Sequence, residues 1–246
     1  MQAAGLILAA GKGARFPSET EAPFPKVLRV VLGRPMVLWV LDALEGASID
    51  DVTLVIGFGA DEVRRALGER WEYVPQPEQK GSGHAAACAG ERFLGFAGTL
   101  VVMCGDSPLF TSQTIRRLLK KHESSNAAVT LVSALLDDPT GYGRIIRDSE
   151  GDIARIVEEK CAGQSEREIR EVNGGAYAFD SAWLFANTGK MARNDAGEYN
   201  LTDMVRVAVE QGMTVSSIDC DPEELLGVNN PDELAAVEAI LRSRQV

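Results

Sequence analysis

Two short stretches carry the cations and glycines that could do chemistry. One is Leu8 to Phe16, LAAGKGARF; the other is Pro25-Lys26-Val27-Leu28. An apolar run leaves through Gly11 and Gly13, with Lys12, Arg15, Lys26 and Arg29 close by in sequence. Glycine lets the backbone turn tightly and bring its N–H groups up to an anion. Arg15 can fork onto phosphate oxygens, and Lys26 can act as a point charge. The pattern is not a dinucleotide fingerprint, because position 16 is Phe16 rather than a third glycine. It is not a Walker loop either, since no Gly-Lys-Ser/Thr ends it. What remains is a backbone cradle for phosphates, set against a flexible turn with solvated charges.

The elements around these residues set where they sit. Ala4 to Ala9 reads as a strand buried on both faces, and Pro35 opens a helix that stops at Gly46. Strands are expected at Val52 to Gly57, Trp71 to Pro75, Thr99 to Cys104 and Ala127 to Leu136. Helices are expected at Asp61 to Leu67, at Ala85 to Phe93, and after the cap Thr111, with Lys120, Lys121 and His122 at the negative end of that last one. Such alternation predicts an α/β fold: a Rossmann-like, mainly parallel sheet sandwiched by helices. Ligands then sit beyond the carboxyl ends of the strands, where both the glycine stretch and Gly105-Asp106 fall. The second half is richer in β structure, with a hairpin around Asp148-Ser149-Glu150-Gly151 and a strand at Glu171 to Phe179. Helices follow at Leu201 to Gln211 and from Pro231, the latter opened by Asn230-Pro231-Asp232-Glu233. No linker-like stretch divides the chain, so one domain is expected over 1–246, ending in a helix over 231–246.

Bulk composition narrows the partners. The net charge of −11 over 246 residues excludes a basic face for nucleic acid, while leaving room for a small phosphorylated substrate. Cys88, Cys104, Cys161 and Cys220 form no metal spacing and fit a reducing compartment, so the cytoplasm is the expectation. No apolar run approaches a membrane span, and Ala3 to Ala10 makes a poor signal peptide.

LAAGKGARF followed by PKVL resembles the signature of sugar-1-phosphate nucleotidyltransferases. Further pieces, in order along the chain, resemble the uridyltransferase domain of the bacterial N-acetylglucosamine-1-phosphate uridyltransferases. They are QPEQKGSGHA from Gln76, GDSPL from Gly105, GYGRI from Gly141, IVEEK from Ile156, EVNGG from Glu171, EYNLTD from Glu198 and GVNN from Gly227. The resemblance implies a GT-A-like nucleotidyltransferase fold, with a nucleotide-facing first half and a sugar-facing second half. It implies Mg²⁺-dependent uridylyl transfer from UTP to N-acetylglucosamine 1-phosphate, with pyrophosphate as the other product. It assigns Leu8, Ala10, Gly11, Gly13, Gln76, Gly81 and Ser82 to the nucleotide. Arg15 and Lys26 become catalytic cations, and Asp106 and Asn229 hold the metal, with Asn230 as the competing ligand. Gly143, Glu158 and Asn173 face the sugar.

Mg²⁺ suits this set because it takes hard oxygens and keeps several waters, so two protein oxygens plus phosphates suffice. No Ser, His or Cys base is needed, because the attacking sugar phosphate is already an anion; a chain with two histidines can therefore do this reaction. Departures cluster on the sugar side: Cys161, Gly174 and Asn200 stand where the family has Asp, Thr and Tyr. Ala14 stands where a Thr is usual, and the gap from Arg15 to Pro25 is longer and acidic. The family's hexapeptide-repeat acetyltransferase domain does not follow, so the expectation is a chain cut before it or one confined to the uridylyl step. The rival readings are transfer to another sugar phosphate or from another nucleotide, and a non-catalytic nucleotide-sugar regulator.

Overall fold

The computed structural model describes residues 2–13, 16 and 24–244. In chain order, β1 (Ala3–Ala9) is followed by a 3-10 turn at Lys26–Leu28 and a small hairpin, β2 (Val30–Val31) and β3 (Arg34–Pro35). Next come α1 (Met36–Gly46), β4 (Val52–Ile56), α2 (Ala60–Leu67), β5 (Glu72–Pro75), α3 (Ser82–Cys88), β6 (Thr99–Cys104), α4 (Ser112–Ser125) and β7 (Val129–Leu135). The second half contributes β8 (Arg144–Arg147), β9 (Ile153–Val157), α5 (Gln164–Arg167), β10 (Glu171–Asp180), α6 (Ser181–Asn187), α7 (Asp203–Glu210), β11 (Val215–Asp219) and α8 (Pro231–Arg244).

The main sheet runs β11-β7-β10-β6-β1-β4-β5. β1 pairs in parallel with β4 and β6, β4 with β5, and β7 with β11. β10 lies antiparallel between β6 and β7, and the β8–β9 hairpin hangs from its start through Val172 opposite Arg144. The strands are continuously apolar because both faces are covered. Ile7, Val101, Met103 and Ala178 pack under α1, α2 and α4, while Leu6, Val102, Tyr177 and Phe179 pack under α3, α6 and α7. Successive residues thus serve opposite layers, as a two-residue side-chain period requires. Burying one Leu or Ile of these rows stabilises by roughly 1.5–3 kcal/mol. α8 closes a smaller cluster, with Val237 and Leu241 against Met36, Leu109 and Val228.

Local signals explain most boundaries. Thr111 accepts from the Thr114 N–H at 3.2 Å and caps α4, and Asn230 accepts from the Glu233 N–H at 2.9 Å at the start of α8. α3 departs from expectation by starting three residues early and ending at Cys88, with turns through Gly90 to Gly95 in place of helix. Gly90 costs helix about 1 kcal/mol against alanine, and Phe93 reaches the core from a turn. His122 lies in the last turn of α4 as expected, but its ring is buried, touches Thr130 Oγ1 at 3.0 Å, and burial pulls its pKa down.

Candidate active site

Three adjoining cavities form one crevice beyond the carboxyl ends of β1, β5 and β6. The first, of about 400 Å³, is lined by Leu8, Ala10, Gly11, Gly13, Gln76, Gly81 and Ser82, with Lys12, Gln79 and Glu198. The second, of about 230 Å³, shares Leu8, Gly11 and Gly13 and adds Lys26, Cys104, Asp106 and Asn229. The third, of about 570 Å³, shares Glu198 with the first and is lined by Glu158 and Asn200 among others.

The glycine cradle follows β1 directly. Gly13 has φ of +65°, and a Cβ there would stand 3.0 Å from Lys26 Cβ, so the cradle and Lys26 lie against each other. Gly11 is different: a Cβ built on it meets no heavy atom within 4 Å, so its space opens into the crevice. Arg15, and Ala14 beside it, lie outside the described residues.

Gln76 is buried at the end of β5, and its amide nitrogen donates to the Gly81 carbonyl at 3.1 Å and meets His84 Nδ1 at 3.0 Å. With both amide hydrogens engaged, its carbonyl oxygen is the group left to accept. Gly81, at φ of +96°, wedges against the Tyr199 backbone, and Ser82 Oγ accepts from the Leu201 N–H at 3.0 Å. The EYNLTD stretch therefore backs the same loop.

Lys26 lines the second cavity. Its Nζ forms a short ion pair with Asp106 and donates to Asn229 Oδ1 at 2.7 Å. Two hard oxygens, one from the end of β6 and one from the segment before α8, thus converge on a single positive charge. Asn230, the alternative to Asn229, is spent on capping α8. Cys104 sits beside them, and desolvation pushes its thiol up to about 12. Among the described residues, no three His, Cys, Asp or Glu side chains gather into a metal cluster.

On the far side, Glu158 accepts from the Thr202 hydroxyl at 2.7 Å. A Cβ on Gly143 would stand 3.7 Å from Glu158 Oε2, which leaves little more than one glycine's width between them. The Gly143 carbonyl accepts from the Asn173 N–H at 2.9 Å, and Asn173 Nδ2 donates to the Tyr177 hydroxyl at 2.6 Å. Glu158 lines the third cavity; Gly143 and Asn173 stand behind it, joined by the β8–β10 contact. Thr202 and Glu198 join the site from the EYNLTD stretch, a family-like motif to whose members no role had been assigned.

The model of the nucleotidyl transferase family matches residues 4–223. The bifunctional protein GlmU of Pelotomaculum thermopropionicum is 43% identical over 246 residues, covering 99% of this chain and 53% of that protein. The GlmU of Geobacillus thermodenitrificans is 42% identical over 241 residues, covering 97% and 52%. The chain spans about half the length of the curated relatives it matches. A solved structure of a putative glucose-1-phosphate thymidylyltransferase from Bacillus anthracis superposes with a TM-score of 0.78 at 21% identity, covering 98% of this chain and 96% of that one. That likeness bears on the fold, a mainly parallel sheet between helix layers. No helix among the described residues is long and apolar enough to cross a membrane. With the family model covering most of the sheet and of the crevice, the chain belongs to the nucleotidyl transferase family.

Proposed function

We propose that this chain transfers a nucleotidyl group to a sugar 1-phosphate, and that the pair it uses is UTP and N-acetylglucosamine 1-phosphate. The observation that carries the reading is the continuity of the crevice: a base-sized cavity shares Gly11 and Gly13 with the Lys26–Asp106–Asn229 cluster, and shares Glu198 with the Glu158 cavity. The family model and the relatives' resemblance over nearly the whole chain support nucleotidyl transfer, and the ordered motifs from QPEQKGSGHA to GVNN, which resemble those of the N-acetylglucosamine-1-phosphate uridyltransferases, suggest this pair of substrates.

A sugar-phosphate oxygen attacks the α-phosphorus of the nucleotide; the new O–P bond forms as the bond to the pyrophosphate oxygen breaks. The attacking group is already ionised, so the task is to bring two anions together and align them. The backbone of Ala10 to Gly13 cradles the triphosphate, and Lys26 moves its charge onto the α-phosphate. Arg15 holds the departing pyrophosphate. Gln76 accepts from the uracil N3–H, a proton that cytosine lacks, which selects UTP over CTP. Glu158 accepts from the sugar hydroxyls.

Asp106 and Asn229 fit Mg²⁺: both are hard oxygen donors, and they already converge on one cation, the Lys26 ammonium. Bound there, Mg²⁺ would neutralise phosphate charge and reduce the repulsion between the two substrates.

Pyrophosphate release from a matrix of UTP, dTTP and CTP against N-acetylglucosamine 1-phosphate and glucose 1-phosphate tests the proposal. The expected result is fastest turnover for UTP with N-acetylglucosamine 1-phosphate, and none with CTP. Faster turnover of another pair would overturn the substrate assignment, and no release from any pair would overturn the activity.

A further inference from the structure

Among the described residues Arg144 is the largest fully buried side chain, at 1% exposure, and it is charged. Its Nη2 pairs with Glu159 Oε2 at 2.7 Å, and its Nη1 forms a short bond to the Tyr142 carbonyl. Its Nε has no partner. A buried guanidinium with one orphaned N–H is a costly way to hold a hairpin, since apolar side chains of similar volume do so without desolvating a charge. Such a pair fixes direction where a greasy contact would not.

What it fixes is one wall of the sugar cavity, where Gly141, Glu158 and Glu159 lie. Glu159 also accepts from the Gly141 N–H at 3.3 Å and lies 3.8 Å from Arg167 Nε. One carboxylate thereby ties together the loop before β8, the start of β8 and α5. Glu158 is its chain neighbour, and Gly143 is the neighbour of Arg144. The Arg144 hydrogen bond holds the Glu159 carboxyl below the ordinary range, so it stays ionised for this task.

We infer that Arg144 and Glu159 are positioning residues for sugar-phosphate recognition: their ion pair holds the Glu158 carboxylate against the Gly143 backbone and so fixes where that carboxylate stands in the wall of the sugar cavity. The inference rests on the reading of that cavity as the sugar-phosphate site. Arg144 lies outside the cavity lining and acts through its neighbours; Glu159 lines the cavity, with its carboxylate engaged by Arg144 and the Gly141 N–H.

The test is steady-state kinetics with both substrates varied, on Glu159→Gln, the double variant Arg144→Met/Glu159→Met, and Glu158→Gln. The double variant removes both charges, so no buried cation is left unpaired to unfold the hairpin. In it the KM for N-acetylglucosamine 1-phosphate should rise about tenfold, the scale of one charged hydrogen bond lost from the bound state. Glu159→Gln should move the same KM in the same direction by less, and in both variants the KM for UTP should stay within about twofold. Glu158→Gln should raise the sugar-phosphate KM at least as far as the double variant. A rise with Glu158→Gln but none with the other two overturns the positioning role and leaves the sugar site standing. A parallel rise in both KM values also overturns it, because general loosening would do that. No change with Glu158→Gln overturns the site reading itself.

Discussion

Gly11 and Gly81 are both glycines of the crevice, and they should fail in opposite ways when replaced by alanine. A methyl on Gly11 meets nothing within 4 Å, and its φ lies outside the left-handed region. Gly11→Ala should therefore leave stability unchanged or raise it by about 0.4–1 kcal/mol, through a less disordered unfolded chain. The space it fills is the phosphate's, and losing one or two backbone hydrogen bonds to a charged oxygen at ~1.5–3 kcal/mol each weakens nucleotide binding by roughly 10–100-fold or more. Gly81 has φ of +96° and ψ of 174°, a region essentially closed to other residues and costing ~1–3 kcal/mol. Its methyl would overlap the Tyr199 carbonyl oxygen and stand 3.0 Å from the Tyr199 nitrogen. Those two groups bond to the Gly83 N–H and the Lys80 carbonyl, each at 2.8 Å, so any retreat of Tyr199 gives up both, at ~0.5–1.5 kcal/mol apiece. Gly81→Ala should lose about 2–5 kcal/mol, a fall in melting temperature of roughly 5–20 °C for a chain of this size. Thermal melts of both variants, with UTP titrations well below the melting point, read the two effects separately. A Gly81→Ala protein melting within 2 °C of the parent, or a Gly11→Ala protein binding UTP normally, would refute the assigned roles.

Lys26→Ala or Asp106→Ala should cut turnover by ~10²-fold or more while the fold persists, checked by pyrophosphate release alongside circular dichroism. Removing the ammonium also clears the point on which Asp106 and Asn229 converge. Lys26→Met should therefore bind Mn²⁺ without nucleotide about tenfold more tightly than the parent, measured from the free-Mn²⁺ electron paramagnetic resonance signal. The Cys104 and Cys220 thiols, both pushed up to about 12 mainly by desolvation, stay protonated in the folded chain where an unfolded one ionises near 9. Their contribution is thus present below pH 9 and is lost as pH rises from there toward 12, so denaturant midpoints should fall across that window and fall less in Cys104→Ala/Cys220→Ala.

Strands apolar on both faces were readable because a covered parallel sheet writes itself as an unbroken hydrophobic run; β1, β4 and β6 all do this. Caps with a hydrogen-bonding reason, Thr111 and Asn230, were readable for the same kind of cause. β11 was missed because VSSID puts two adjacent serines between its apolar residues, breaking the two-residue alternation, although Ser216 is buried. α6 has seven residues, too few to show a helical period, and the β2–β3 hairpin has two-residue arms. Within the crevice, the residues of the cradle and of Gln76 to Ser82 were legible because they are contiguous. The Arg144–Glu159 pair and the Thr202–Glu158 bond were not, since partners 15 and 44 positions apart meet only through the sheet. Lys26 was expected against phosphate; its ammonium is paired with Asp106, a contact between residues 80 positions apart that no local spacing reveals.

β10 was described as lying between β6 and β7, and that insertion governs the order in which the molecule can be completed. A ribosome releases β1 to β7 before residue 171 exists, so β6 and β7 emerge with open edges awaiting a strand not yet made. Unpaired edges of this kind invite association with other chains. A fragment ending near residue 140 should accordingly be aggregation-prone, and the nascent chain should depend on holding proteins until the interleaved strand arrives.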